Sequence, residues 1–182
     1  MSSVQIGNAG EHYVMACLLA QGYDAGLADR GNPNFDILLR TPGGDFRAVR
    51  VKTTSSASFQ WTAKEEWDPL PGFDKDDPDA RDVSILVAFN GDPPGQSTEA
   101  YVIPTARLVE DINRVNRHYH SHKNRDGSTC KRAKQRVIRL DGEKKPDNIA
   151  YGFREDWHEF LDGWDLLGGA VEAVKVGRTS DS

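Results

Sequence analysis

Apolar residues recur along the first part of the chain at the three- and four-residue spacing of an α-helix. Val14 and Leu18 lie on one stripe, which predicts a helix over about residues 8–21. Asn8 is its expected N-cap, and Glu11 follows three residues later, where a capping box takes an acidic side chain.

The same spacing predicts a second amphipathic helix in the other half of the chain. This helix opens at Pro104-Thr105, and its apolar positions recur at intervals of four, three and four residues: Leu108, Ile112, Val115 and Tyr119. A late, short helix is predicted over residues 156–161.

Short apolar runs bounded by turn formers predict the strands of a sheet. Residues 35–39 and 46–53 are joined by a loop that contains Pro-Gly-Gly, so we expect them to form an antiparallel hairpin. Residues 83–89 are almost wholly apolar, which is typical of a central strand covered on both faces. Further strands are predicted over residues 100–103 and 136–140.

Together these elements predict an α/β domain in which helices flank a sheet. Residues 1–176 are expected to form a single domain, because the length suits one domain and no internal repeat occurs. Residues 54–82, rich in Ser, acidic residues and Pro, are expected to be an excursion from that domain. Residues 177–182 are expected to be a disordered tail.

The composition excludes several classes of protein. Of the 182 residues, 37% are hydrophobic and 28% charged, which excludes collagen, a coiled coil and wholesale disorder. No apolar run approaches the roughly 18 residues of a membrane span, and no signal peptide is evident, so no membrane association is expected. Cys17 and Cys130 are too few for a disulfide framework, and we expect a reducing, cytoplasmic location.

Charge is segregated along the chain, although the net charge is only -5. Residues 114–139 hold nine basic residues and one acidic residue, whereas residues 65–82 hold eight acidic and two basic residues. Segregation of this kind provides an acidic protein with one face that meets phosphate. The alternative is that two solvated segments of opposite sign attract each other.

Three charged residues stand where the pattern calls for apolar ones. Glu11 leans toward the buried face of the first helix, and Asp36 lies between two apolar residues of a strand. Strand alternation places Arg50 and Lys52 together on one face. Buried charges require partners, so Glu11, Asp36 and Lys52 are candidates for one cluster. Each also has a simpler interpretation: a capping-box residue, a turn residue and an edge-strand lysine respectively.

The residues that carry this cluster resemble the core of the PD-(D/E)XK nuclease superfamily. The stretches GNAGEHYVMACLLAQGY, NPNFDILL and FRAVRVKTT are similar to the branch of bacterial proteins whose strand reads V-Q-V-K-T, and the later DWHEFLDGWDLLG resembles their C-terminal helix. The resemblance implies the restriction-endonuclease-like fold, also found in archaeal Holliday-junction resolvases, with a mixed β-sheet flanked by helices.

The resemblance also implies an activity, which is metal-dependent hydrolysis of DNA phosphodiesters. Glu11 and Asp36 would hold Mg²⁺ or Mn²⁺, and Lys52 would serve the attacking water. This sequence departs from the family at Arg50, where the family has an acidic residue or Gln as a metal ligand; arginine offers no acceptor. The alternative is therefore an inactive nuclease fold that binds nucleic acid or a protein, with Arg50 on phosphate.

A set of basic residues is expected to hold the DNA backbone. Its members are Arg50, Arg117, Lys123, Arg125, Lys131, Arg132 and Lys134. A homodimer would suit symmetric cutting of duplex DNA. A protein-binding module that uses the acidic stretch is a third hypothesis. Three histidines, His118, His120 and His122, with Cys130, match no zinc spacing.

Overall fold

The structure, a computed structural model, describes residues 2–29, 32, 35–41, 43–62, 83–91, 94–121, 127, 135–145 and 148–167. Several predictions lie outside these residues. They concern the whole acidic stretch at 65–82, the tail at 177–182, the histidine and cysteine at 122 and 130, and five basic residues: Lys123, Arg125, Lys131, Arg132 and Lys134.

Seven strands and three α-helices make up the described part of the chain. In chain order they are α1 (Ser3–Ala20), β1 (Asp24–Leu27), β2 (Ile37–Arg40), β3 (Phe46–Thr54), β4 (Ser58–Thr62), β5 (Val83–Asn90), β6 (Ser97–Pro104), α2 (Thr105–Ser121), β7 (Gln135–Arg139) and α3 (Phe153–Asp156). Two 3₁₀ helices follow, His158–Phe160 and Trp164–Leu167. None of the helices in this part of the chain is long and apolar enough to cross a membrane.

Five of the strands form one sheet in the order β1-β2-β3-β5-β6, in which only β3 and β5 run parallel. The expected mixed α/β sheet flanked by helices is therefore confirmed. The hairpin of β2 and β3 is also confirmed, with Ile37 opposite Val49 and Arg40 opposite Phe46. β5 is central, and its residues from Val83 to Ala88 are buried, as expected for a strand covered on both faces.

Alternation along the strands divides the core between the two faces of the sheet. On one face, Val14 and Leu18 of α1 pack against a cluster of strand residues: Ile37, Leu39, Val49, Ile85, Val87 and Val102. On the other face, α2 and the C-terminal elements pack against a second cluster: Leu86, Tyr101, Ile103, Leu108, Ile112 and Trp157. Arg50 and Lys52 alternate with Val49 and therefore belong to the second face.

The start of α1 differs from the prediction. The helix begins at Ser3, and Ser2 is its N-cap. The Ser2 hydroxyl accepts from the Gln5 N–H, and the Gln5 side chain accepts from the Ser2 N–H. This capping box satisfies two backbone donors one and a half turns before the predicted start. Asn8 and Glu11 therefore lie inside the helix, and the capping-box interpretation of Glu11 is wrong.

Two further expectations were incomplete. The predicted excursion contains β4, which pairs with β7 in a separate two-stranded sheet, and β1 was not predicted. The late helix is broken into α3 and a 3₁₀ turn. These features depend on pairing between segments that are far apart in the sequence. Ser58 of β4, for example, is opposite Arg139 of β7. Local periodicity does not contain that information.

Gly10 marks the closest approach of α1 to the sheet. A Cβ placed there would lie 1.8 Å from Thr53 Oγ1, whereas one placed on Gly7 would have nothing within 4 Å. We expect Gly10→Ala to lower the free energy of unfolding by about 1–3 kcal/mol, because helix and strand must move apart. Gly7→Ala is the matched control, and it should stabilise α1 by up to about 1 kcal/mol. Denaturant titration checks both; equal midpoints would contradict the close contact.

Candidate active site

A cavity of about 240 Å³ opens on the second face of the sheet, where β2, β3 and β5 meet. Its walls come from the three strands, from β4 and from α2. The lining residues are Asp36, Arg50, Val51, Lys52, Trp61, Ser84, Leu86 and Leu108. Three residues that were singled out from the sequence thus share one cavity. Whether they act together in catalysis stays a prediction.

Asp36 lies immediately before β2 and is held by β3. Its backbone N–H donates to the Val49 carbonyl (2.9 Å), and its carboxylate Oδ2 accepts from the Val51 N–H at 2.7 Å. The regular pairing of β2 with β3 ends at Ile37 and Val49. Beyond that point the Asp36 carboxylate, rather than a backbone carbonyl of β2, accepts the Val51 N–H. This contact is between strands, unlike the local turn contact considered for Asp36. It also occupies one of the two carboxylate oxygens.

Lys52 and Arg50 extend from alternate positions of β3 into the same cavity. The pairing of β3 with β5 places Arg50 opposite Ser84 and Lys52 opposite Leu86. The Lys52 residue keeps contact with solvent, yet desolvation around its ammonium lowers its pKa, and the nearby Asp36 carboxylate partly offsets this effect. Desolvation strengthens the attraction of such a cation for an anionic ligand.

Glu11 is not among the described residues that line the cavity. It lies on α1, which covers the opposite face of the sheet, and its neighbour Gly10 contacts Thr53, the residue after Lys52. Glu11 is thus close to the end of β3 that carries Lys52, but it lies on the face of the sheet opposite to the cavity. Its role as a catalytic carboxylate or metal ligand stays a prediction.

The cavity residues do not fit a divalent metal of the kind that the sequence resemblance implies. Mg²⁺ is bound through oxygen ligands, commonly one or two carboxylates. The cavity supplies one carboxylate, and one of its oxygens already accepts the Val51 N–H. Arg50 and Lys52 add two positive charges beside it. In the part of the chain that the structure describes, no group of three His, Cys, Asp or Glu could hold a metal ion.

Two exposed arginines of the predicted basic segment contact other groups of the protein itself. Arg114 pairs with Asp111 at 2.7 Å and with Asp156 at 3.4 Å, and the Arg139 guanidinium lies 5.3 Å from the centre of the Tyr151 ring. The charge of Arg114 is therefore paired within the protein, whereas Arg139 is an exposed cation that packs on an aromatic ring. Arg117 is exposed on α2; its contact with DNA stays a prediction.

Sequence reasoning missed two residues that shape the cavity. Ser84 forms its floor, where its hydroxyl is hydrogen-bonded to the Thr105 hydroxyl at 2.9 Å and so joins β5 to the start of α2. Trp61 is buried in the core cluster on this face and forms part of the cavity wall. Ser84 lies in the predicted apolar strand over residues 83–89, but its place at the cavity depends on the pairing of β5 with β3. Trp61 reaches the cavity on β4, which pairs with the distant β7.

Asp111 is a third residue that the sequence analysis did not single out. It lies one turn after Leu108 on α2, and its carboxylate accepts from Arg107, Arg114 and the Trp157 indole. The hydrogen bond to Asp111 is the main reason why the pKa of Arg107 is raised. The sequence did contain a signal for this cluster. Arg107 and Arg114 stand four residues before and three residues after Asp111, and residues at these spacings share one face of a helix.

No protein-family model and no curated protein matches the chain. Among solved structures it is similar to a Holliday junction resolvase from Archaeoglobus fulgidus, at 14% identity and a TM-score of 0.41, over 73% of this chain and 83% of the resolvase. It is also similar to a bacterial homing endonuclease, at 12% identity and a TM-score of 0.44, over 91% of each chain. Neither of these similarities assigns an activity to this chain.

Proposed function

We propose that this nuclease-like domain binds the phosphodiester backbone of DNA at the cavity that Asp36, Arg50 and Lys52 line. The observation that carries the proposal is the pair of cations on one face of β3, in a cavity with a single carboxylate. Arginine presents a planar fork of donors that matches two phosphate oxygens, and lysine adds a point charge. The excess of positive charge favours an anionic ligand.

The same charges favour binding without a metal. In the family pattern the position of Arg50 belongs to a metal ligand, and here it carries a guanidinium that repels a divalent ion. The Arg50 guanidinium would then attract the phosphate, a role that a metal ion fills in nucleases with an acidic residue at this position. We therefore infer that DNA binding persists in EDTA.

Metal-dependent hydrolysis of DNA is the second candidate. The proximity of Lys52 to Asp36 favours it, because the carboxylate raises the pKa of the ammonium against the effect of desolvation. In that case Glu11 and Asp36 would bind Mg²⁺ or Mn²⁺, as the resemblance implies. The cavity by itself supplies no second carboxylate for this role.

Lys52→Ala tests the proposal. We expect it to weaken binding of a fluorescently labelled DNA oligonucleotide in EDTA by about 10-fold, since a charge-assisted hydrogen bond is lost. The slope of log affinity against log salt should fall by about 1, the value of one phosphate contact. Lys145→Ala is the matched control, because Lys145 is an exposed lysine that does not line the cavity.

Three outcomes separate the candidates. Loss of affinity in Lys52→Ala but not in Lys145→Ala, with the DNA intact in Mg²⁺ and Mn²⁺, supports metal-free binding. Cleavage by the wild type in Mn²⁺ that Asp36→Asn abolishes would instead establish the hydrolase. Equal affinity of both lysine variants and the wild type would remove the cavity from any role in DNA binding.

A further inference from the structure

Three polar residues of the cavity stand in a row across adjacent strands. Asp36 precedes Ile37, the partner of Val49, so it comes beside Arg50 in the same register, and Arg50 is opposite Ser84 on β5. Neighbouring strands lie about 4.8 Å apart, so the row is about 10 Å long. It presents a hydrogen-bond acceptor, a cation and a hydroxyl, in that order, to a ligand in the cavity.

The hydroxyl end of this row is built into the protein interior. Ser84 is 2% exposed and Thr105 is 1% exposed, and their hydroxyl oxygens are 2.9 Å apart. A hydroxyl has one proton to donate and two acceptor sites. When Thr105 donates to Ser84, the Ser84 proton is therefore available for a phosphate oxygen beside Arg50.

The carboxylate end of the row requires a different group from the ligand. Asp36 accepts the Val51 N–H through Oδ2 and lines the cavity beside the two cations. A carboxylate repels a phosphate and attracts a hydrogen-bond donor. Within a DNA strand the sugar–phosphate backbone has no donor, because every hydroxyl of the deoxyribose is esterified. A free hydroxyl at the end of a strand is such a donor.

The size and the walls of the cavity also favour a strand end. Its volume of about 240 Å³ lies below the roughly 300–1,000 Å³ of pockets that enclose a drug-sized ligand, so it suits one sugar with its phosphate. Trp61, Leu86 and Leu108 form apolar walls, which suit the carbon atoms of a deoxyribose. The second phosphate of an internal nucleotide would lie against these walls or against Asp36, and both are unfavourable for an anion.

We propose that the cavity takes the terminal nucleotide of a DNA strand that ends in a free hydroxyl. Its phosphodiester lies at Arg50 and Lys52, with Ser84 as a further donor, and its terminal hydroxyl donates to Asp36. The inference rests on the proposed function and names its substrate class, which is a strand end rather than an internal segment. The lining side chains carry one excess positive charge, which matches the single charge of a phosphodiester.

The test compares four single strands of one DNA sequence in EDTA, each with a fluorophore on an internal base. The strands carry hydroxyls at both ends, a phosphate at the 3′ end, a phosphate at the 5′ end, or phosphates at both ends. We expect phosphates at both ends to weaken binding to the full chain by about 10-fold or more, because the donor to Asp36 is replaced by a like charge. A loss of the same size with one of the singly phosphorylated strands identifies the end that is bound.

Asp36→Asn removes the charge that disfavours a terminal phosphate. The amide oxygen can still accept the Val51 N–H, and the amide N–H can donate to a phosphate. We expect this variant to bind the hydroxyl-ended and phosphate-ended strands within about twofold of each other, because the like-charge repulsion is gone. Asp24→Asn is the matched control and should keep the wild-type preference, since Asp24 is exposed on β1 and does not line the cavity.

The outcomes distinguish this inference from the proposed function. If Lys52→Ala weakens binding of all four strands while the end groups make no difference to the wild type, the cavity binds an internal phosphodiester and the end preference is wrong. If neither Lys52→Ala nor the end groups change the affinity, both proposals fall.

Two competitors test other sources of the same hydroxyl. Displacement of the hydroxyl-ended strand by an equal concentration of thymidine 5′-monophosphate would show a mononucleotide site and overturn the inference. An oligoribonucleotide with phosphates at both ends offers a 2′-hydroxyl on every sugar. If it binds as tightly as the hydroxyl-ended DNA, Asp36 takes an internal ribose hydroxyl and the inference is again overturned.

Discussion

Replacement of Asp111 by alanine is expected to lower the free energy of unfolding by about 3 kcal/mol. Asp111 is 3% exposed, and its carboxylate accepts three hydrogen bonds of 2.7–3.0 Å. Arg107 and Arg114 keep partial contact with water, so they recover some solvation when the carboxylate is removed. The Trp157 indole is fully buried and would lose its acceptor.

The same substitution should also loosen the cavity. Asp111 ties α2 to the segment around Trp157, and Leu108, one turn earlier, forms part of the cavity wall. Because the wall is fixed by this network, weaker DNA binding should accompany the loss of stability. None of the residues in this network lines the cavity, so we expect the effect on binding to arise through the position of Leu108.

Urea titration measures the first effect, with Glu110→Ala as the control because Glu110 is the exposed neighbour on the same helix. The urea midpoint of Asp111→Asn should lie between the midpoints of Asp111→Ala and Glu110→Ala. An amide oxygen still accepts a hydrogen bond from one donor, although the charge is lost. A midpoint for Asp111→Ala that equals that of Glu110→Ala would show that the network contributes nothing.

Arg50→Glu is expected to raise the affinity of the cavity for a divalent metal ion. The substitution removes a cation from the cavity and adds a carboxylate beside Asp36. The cavity then offers two carboxylates, which are suitable oxygen ligands for Mn²⁺. At about 5 Å and an effective dielectric near 20, a divalent ion is repelled by arginine and attracted by glutamate with roughly 6–7 kcal/mol each. We expect affinity for Mn²⁺ to rise by at least about 100-fold in calorimetry.

Two further variants make this result specific. Lys145→Glu makes the same change of charge at an exposed position that does not line the cavity, and it should not bind Mn²⁺. Adding Asp36→Asn to Arg50→Glu should abolish the gain. Mn²⁺ binding by the wild type that is lost in Asp36→Asn would contradict our assignment, and the hydrolase would then become the better candidate.

The sequence and the structure agree best where the pattern is local. The hairpin of β2 and β3 follows from two apolar runs and a short turn, and the shared face of Arg50 and Lys52 follows from the two-residue period of a strand. Burial of β5 follows from its unbroken apolar run. In each case neighbouring residues alone provide the signal.

The disagreements come from non-local pairing. β1 is four residues long with little apolar character, and it exists as a strand because β2 offers it a partner. β4 pairs with β7, from which it is widely separated in the sequence. For this reason the sequence did not predict that Trp61 forms part of the cavity wall. The start of α1 was misplaced for another reason: the capping box is formed by Ser2 and Gln5, so the helix begins before the predicted N-cap Asn8.

The sequence by itself therefore determined the α/β class, the strand hairpin and the two cations that face the same way as Asp36. Only the tertiary structure decided that these three residues share a cavity, that α1 holds Glu11 on the other face, and that Arg114 pairs with the buried Asp111. The physical reason is that side-chain direction along one element follows from local geometry. Proximity between elements follows from how the whole chain packs.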